Sequence, residues 1–319
     1  MPELIRLETA DIQVVVDPGR GSDILSIVDN RTGTDVMFSS PWRARADDIR
    51  QGVAPVTATG SMESWLEQYR GGWQTLCPNA GAPRTATNGA PLGYHGEAST
   101  ASWTVGELTP GSVALRSELF SLPISLDRRI AVEGRAVTVA DRITNRSGSG
   151  VTFDFAQHPA LGGAFLDGEC EIQTGARTFV NDFEAGLAGV AAGSAHVWPN
   201  VVKEDGTTVD LRKVPGNDSS RSAFGWLADF DGYWASVSNP KLGLSVRLDW
   251  DGALLPYAWF WQELNGMPGW PWFGRARVLA IEPSSTQTSG PDRASVIALG
   301  PHETITTSIT VSLVATAGP

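Results

Sequence analysis

Apolar residues recur at every second position along several stretches of this 319-residue chain. Ile124, Leu126, Ile130 and Val132 share one face of an extended segment; Val137, Val139 and Ile143 share a face of the next. Leu244, Val246, Leu248 and Trp250 repeat the alternation, and so do Ile309, Val311 and Leu313. Successive side chains of a strand point to opposite faces, so each stretch predicts a strand with one face buried and one wet. Glu133-Gly134, between the first two, predicts a hairpin turn. Helix signals are weak. Ser64 and Glu67 have the spacing of a capping box, and Gly71-Gly72 would stop the resulting helix after about two turns.

No long amphipathic helix alternates with the strands, which argues against a parallel α/β sheet. The 35 glycines and 20 prolines are spread along the chain as turn residues. There is no internal repeat, no low-complexity tract and no linker, and the polar stretch 203–221 reads as a surface excursion. The expectation is an all-β fold: one domain over residues 1–319, a large antiparallel β-sandwich with few short helices.

Composition changes this picture only by exclusion. With 41% apolar and 18% charged residues the chain is not disordered. A net charge of −11 argues against nucleic acid and against anionic lipid as partners, and leaves neutral small molecules as easy ligands. The start Met1-Pro2-Glu3 lacks a basic and an apolar signal region, and no run of apolar residues is long enough to span a membrane. Cys77 and Cys170 read as free, partly buried thiols. A cytoplasmic location is the default expectation.

The chain has only four histidines. His95 lies in Gly93-Tyr94-His95-Gly96-Glu97, and His158 precedes Pro159 where a strand is expected to give way to a loop. His196 and His302 lie in polar, turn-like surroundings. A histidine beside glycines is more often a turn residue than a catalyst. Glu282 ends the apolar run Val278-Leu279-Ala280-Ile281, and partial desolvation there would make it a better base. Seven of the twelve tryptophans fall between positions 226 and 272. Tryptophan faces stack on pyranose rings, but they also fill the gap between two sheets. Trp261, on one face with Tyr257 and Trp259 and followed by Gln262 and Glu263, is the better candidate for a ligand contact.

Taken in order, these segments resemble the galactose mutarotase-like, or aldose 1-epimerase, superfamily. The residues that carry the resemblance are Gly71-Gly72-Trp73-Gln74, Pro78-Asn79-Ala80-Gly81, His95-Gly96, Asn145-Arg146-Ser147, His158-Pro159, Ala280-Ile281-Glu282-Pro283 and Leu299-Gly300-Pro301-His302-Glu303. His302 stands where the family usually has glycine. The resemblance implies an antiparallel sandwich that holds a sugar on one concave face. It implies Glu282 as general base, His158 as general acid and His95 as a substrate contact. Arg84 is similar to the family's early sugar-binding arginine, and Trp73, Asn79, Trp261 and Gln262 join the implied substrate contacts. Asp229 and Asp231 are the candidates for a hydroxyl-binding aspartate.

The implied enzyme is an aldose 1-epimerase-like isomerase acting on an aldose or a modified sugar. Ionised Glu282 would take the C1 hydroxyl proton and protonated His158 would give one to the ring oxygen, with no metal or cofactor. One alternative is a non-catalytic carbohydrate-binding or regulatory protein on the same fold. Another is a cupin-type metal enzyme built on His95, Glu97 and His158. An anionic sugar would need Arg84, Arg275 or Arg277 at the site.

Overall fold

The computed structural model describes residues 3–293 and 297–316. The predicted strands are present: Ile124–Glu133, Ala136–Asn145, Leu244–Trp250 and Thr304–Ala315. The turn between the first two is one residue later than expected. Glu133 pairs with Ala136, so Gly134 and Arg135 form the loop, and Gly134 takes a φ of +53° that suits glycine. The polar stretch 203–221 is a surface excursion built around the small hairpin of Asn200–Val202 and Thr208–Asp210.

An antiparallel ladder runs through most of the strands. Thr104–Thr109, Ser112–Glu118, Ile124–Glu133, Ala136–Asn145, Thr304–Ala315 and Leu244–Trp250 pair in that order to form one layer. Tyr257–Leu264, Arg277–Ser284, Ala156–Gly162, Trp73–Leu76, Asp23–Asp29, Ile12–Asp17 and Ile5–Glu8 form the other. The long strand Arg221–Asn239 joins them, pairing through its first half with Tyr257–Leu264 and through its second with Leu244–Trp250. Glu171–Asn181 lies along its other edge, with a bulge at Gly175. A Cβ on Gly175 would stand 2.1 Å from the Gly232 carbonyl oxygen, so the bend tolerates only glycine there. Residues of both layers enclose one apolar core.

Two helices interrupt the β-structure. α1, Arg43–Arg50, had no clear sequence signal; Arg50 ties its end to buried Asp17 through hydrogen bonds of 2.5 Å. α2, Ser61–Glu67, is capped at Gly60, four residues before the expected cap at Ser64. Glu67 is therefore free to accept hydrogen bonds from the Thr57 and Ala58 amides. Among the described residues no helix is long and apolar enough to cross a membrane. Cys77 and Cys170 are free and buried.

One polar network crosses the core. Arg128 and Asp141 occupy the positions where the apolar alternation of their strands is broken, and they face each other in register. Arg128 Nε and Nη2 donate to the Asp141 carboxylate at 2.8 and 2.9 Å, and the guanidinium lies 4.9 Å from the Trp103 ring. Gln157 Nε2 donates to Asp141 at 2.9 Å, and Gln157 Oε1 accepts from Trp73 Nε1 at 2.7 Å. Removing one partner of such a pair leaves a buried charge uncompensated. Asp141→Asn is expected to lower the unfolding free energy by about 3–5 kcal/mol. Urea unfolding measures it, and a loss within about 0.5 kcal/mol, as at an ordinary surface site, would contradict this role for the network.

Candidate active site

His158 stands mid-strand in Ala156–Gly162, not at a strand exit as the sequence suggested. Ala156 pairs with Ser284 and Ala160 with Ala280, which places His158 opposite Glu282 on the neighbouring strand. Pro159 has no N–H to give to the ladder, and the pairing lapses between those two points. The two side chains meet on the outer face of the sheet, with His158 Nε2 3.6 Å from Glu282 Oε1. Both are buried.

Burial comes from a cover of helix and loops. α2 brings Trp65 over the pair, and Tyr69 follows just after its end. The Trp65 and Tyr69 rings stack at 4.9 Å, and Tyr69 meets His158 edge-on at 6.0 Å. Trp65 Nε1 donates to Ser99 Oγ at 2.9 Å, and that hydroxyl donates to the Gly96 carbonyl at 2.8 Å. The helix is thereby joined to the loop that presents His95. His95 has a φ of +59° and Gly96 one of +74°. A Cβ on Gly96 would lie 2.4 Å from the Cys77 carbonyl oxygen, so the tight turn behind His95 requires glycine. The Gly81 amide donates to His95 Nδ1 at 3.2 Å. A neutral His95 then carries its proton on Nε2, a donor available to a ligand. The His95 and His158 ring centroids are 5.8 Å apart.

These elements enclose a cavity of about 360 Å³. Trp259 and Trp261 form one wall, Phe224 and Ser222 extend it, and Trp270, Pro271 and Trp272 of the loop 265–276 lie towards the mouth. Its polar groups are few. Tyr69 Oη and His158 Nδ1 are buried and make no hydrogen bond among the described residues.

The dry surroundings act on both reacting groups. Burial raises Glu282 well above the usual carboxylate range and lowers His158 to about 4. It also holds His95 well below the ordinary histidine value, with the nearby His158 and Arg293 acting in the same direction. In this cavity desolvation favours a neutral imidazole beside a protonated carboxyl. The ionised Glu282 and protonated His158 that the resemblance implies are both opposed by this loss of water.

The structure brings together Glu282, His158, His95 and Trp261. It places the other expected substrate contacts behind the wall. Trp73 is buried and donates to Gln157. Asn79 Nδ2 donates to the Gly81, Ala82 and Gly93 carbonyls, at 3.3, 3.0 and 2.8 Å, and so braces the His95 loop. Arg84 donates to Asn79 Oδ1 at 2.8 Å and to Asp154 Oδ2 at 2.9 Å, where Arg293 also donates at 2.9 Å. Gln262 alternates with Trp261 on its strand and points into the core, where its amide makes no hydrogen bond among the described residues. Asp229 accepts from Thr178 at 2.6 Å and Asp231 pairs with Arg177, both exposed and away from the cavity. Glu97 accepts from the Phe120 and Ser121 amides, so the cupin-type set of His95, Glu97 and His158 does not converge. Among the described residues no group of three or more candidate ligands could hold a metal ion.

Trp65, Tyr69 and the loop tryptophans Trp270 and Trp272 were missed as site residues. The i, i+4 spacing of Trp65 and Tyr69 was the available signal, hidden because α2 is too short to show a periodic face. The electrostatics make a direct prediction. In long-range 15N–1H NMR the His158 ring is expected to remain neutral at pH 6 and to gain its proton only near pH 4. An imidazolium signal for His158 at pH 6.5 would overturn the assignment.

Comparison with known proteins agrees with the architecture. A protein from Synechocystis sp. PCC 6803 superposes with a TM-score of 0.70 at 17% identity, over 99% of this chain and 96% of that one. The galactose mutarotase related enzyme from Lactobacillus acidophilus gives 0.68 at 14% identity, covering 99% of each chain. The aldose epimerase homologue from C. elegans gives 0.63 at 13% identity, again covering 99% of each. At these identities the likeness establishes the fold, which is the galactose mutarotase-like one. No curated protein matches the chain. The family model described as a domain of unknown function, DUF4432, matches residues 2–313, and the chain belongs to that family.

Proposed function

We propose that this protein interconverts the α and β anomers of an aldose. The observation that carries the reading is the close approach of His158 and Glu282, both buried and 3.6 Å apart in a cavity walled by aromatic rings. The reading treats residues 1–319 as one domain, supported by a ladder of strands continuous from Thr104–Thr109 to Ile5–Glu8.

Ring opening needs one proton removed and one supplied. Glu282 takes the proton of the C1 hydroxyl, the C1–O5 bond breaks as C1=O forms, and His158 gives its proton to O5. The pair starts as imidazolium and carboxylate and ends as imidazole and carboxylic acid, with its proton count unchanged. The C1–C2 bond then rotates. On closure His158 takes the proton back from O5 and Glu282 returns one to O1. The neutral pair is therefore the form that accompanies the open-chain aldehyde. Burial favours that form, so the cavity stabilises the high-energy half of the cycle relative to the resting ring. Substrate hydroxyls that donate to Glu282 favour its carboxylate while the ring is closed. The His95 Nε2–H and the unpartnered Tyr69 hydroxyl are donors placed to orient the sugar, and Trp261 offers a ring face to its C–H surface. Among the described residues no lysine or arginine lines the cavity, which supports an uncharged reacting ring. Arg84 is engaged with Asp154, and Arg277 donates to the Pro215 carbonyl at 2.8 Å.

Glu282→Gln and His158→Asn are each expected to slow anomer exchange by about 10²–10⁴-fold without unfolding the protein. Saturation-exchange NMR over a panel of neutral aldoses reads this. Near-full exchange in Glu282→Gln would sink the mechanism, and no acceleration by the wild type would leave a sugar-binding protein.

The pair works only while it holds one shared proton. kcat/KM should therefore fall below about pH 4, where His158 gains a second proton for the pair. It should fall again at higher pH, where Glu282, raised by burial, loses the last one. The alkaline limb is expected well above the ~4.3 of an exposed glutamate and is expected to vanish in Glu282→Gln. A profile with its alkaline limb near pH 4–5 would refute the burial argument.

A further inference from the structure

The reacting pair is half of a longer polar row. Glu282 stands opposite His158, and His158 pairs directly with Gln74 of Trp73–Leu76. Ile24 pairs with Trp73, which brings Asp23 beside Gln74 on the next strand. Paired residues of an antiparallel ladder point to the same face, so Asp23, Gln74, His158 and Glu282 cross the outer face of the sheet side by side. All four are buried. The anomer-exchange mechanism uses only the last two.

Three neighbours in this row each hold a polar atom with no partner among the described residues: Asp23 Oδ1, Gln74 Oε1 and His158 Nδ1. A buried polar atom without a partner is costly, so each calls for a role. The middle one is an acceptor. Gln74 Nε2 donates to the Gly71 carbonyl at 2.8 Å, which fixes the sense of the amide. Burial raises Asp23 to about 7, and Arg70, Arg20 and the Gln74 amide pull it the other way, so the amide meets Asp23 with its N–H side. The carbonyl oxygen is the end left open.

The His158 atom is its complement. A neutral imidazole carries one proton, on the nitrogen whose partner accepts it. His158 Nε2 faces Glu282, whose carboxyl is protonated under the same burial and needs a bare nitrogen to donate to. That leaves the ring proton on Nδ1. Burial is the main influence on the ring; its own backbone carbonyl acts the other way but makes no hydrogen bond with Nδ1. The cross-strand neighbour offers what Nδ1 lacks, an unpaired carbonyl oxygen. His95 shows the converse, with an amide donating to Nδ1 and the proton on Nε2.

We propose that Gln74 is a positioning residue for His158: its Oε1 accepts the Nδ1–H and thereby keeps the reacting proton on Nε2. This rests on the anomer-exchange reading. Neither atom has a partner in the structure, and a small turn of the two side chains joins them. In each turnover Nε2 gives its proton to O5 and takes it back on ring closure, while the Nδ1–H stays in place. A ring whose neutral proton sat on Nε2 would have no lone pair there to take the proton back.

The test uses the full chain. Long-range 15N–1H NMR at pH 6 reads which ring nitrogen carries the proton, and His158→Asn assigns the signals by their loss. In the wild type the proton is expected on Nδ1 with Nε2 bare, and the Nδ1 proton should show nuclear Overhauser contacts to the Gln74 side chain. Gln74→Met removes the acceptor at similar length. It is expected to shift the ring towards the Nε2–H form and to lower kcat for anomer exchange by about 10–100-fold with KM little changed, the range seen when the outer partner of a metal-bound histidine is lost. Loss of a merely structural glutamine would not move the tautomer. A wild-type ring with its proton on Nε2 would overturn the proposal. So would a folded Gln74→Met that keeps the wild-type tautomer or the wild-type kcat. If that variant does not fold, the wild-type contacts decide: their presence supports the assignment, and their absence overturns it. If no sugar exchanges, the anomer-exchange reading fails, and the tautomers of the wild type and of Gln74→Met still decide whether Gln74 sets the His158 ring.

Discussion

The hydrogen bonds that Gln157 makes inside the sandwich determine where His158 stands outside it. Neighbouring residues of a strand point to opposite faces, so holding one holds the other. Gln157 is held from one side by Asp141, itself locked to Arg128, and from the other by Trp73. All of these are buried, where a polar group without a partner is costly, so the set tolerates little displacement. His158 has no such support on its own face: its Nδ1 is unpartnered and its Nε2 looks towards Glu282. Among the described residues no partner side chain holds the His158 ring, and its position comes from the backbone beneath it.

The same logic explains the cover. A sheet that carried the pair on a wet face would leave both groups at ordinary pKa values, with water competing for every proton. α2 and the loop 265–276 remove that water. The strands beneath are consequently covered on both faces, which also closes the sheet to solvent near the site. Desolvation is normally a penalty for ionisable groups. Here the penalty falls on the charge-separated form of the pair and spares the neutral one.

Much of the fold was legible because most strands keep one wet face. Ile124–Glu133 and Ala136–Asn145 alternate cleanly, and the two interruptions, Arg128 and Asp141, turned out to pair with each other across the core. The site strands were less legible for the reason just given. Ala156–Gly162 is buried at every position, so it has no alternation to read, and the sequence around His158-Pro159 does not show that the strand runs on through it. His95, His158, Glu282 and Trp261 could be picked out because histidines are few and a carboxylate in an apolar run is conspicuous. Trp65, Tyr69, Trp270 and Trp272 could not, since tryptophans that fill cores and tryptophans that line cavities have the same local sequence. What separates them is which loop folds over which sheet, and that is a long-range property.

Asn79 and Arg84 show how a residue can be important to a site without touching what binds there. Both were expected at the substrate. Their side chains instead close a cluster with Asp154 and Arg293, in which both arginines donate to Asn79 Oδ1 and to Asp154 Oδ2. That cluster holds the backbone from Gly81 to Gly93, on which His95 depends for its strained turn and its tautomer. An arginine spent on scaffolding cannot also recognise the ligand, so the reactive cavity is left with little charge and few hydroxyl partners. Discrimination among ligands must then come from shape, from aromatic faces and from groups nearer the mouth.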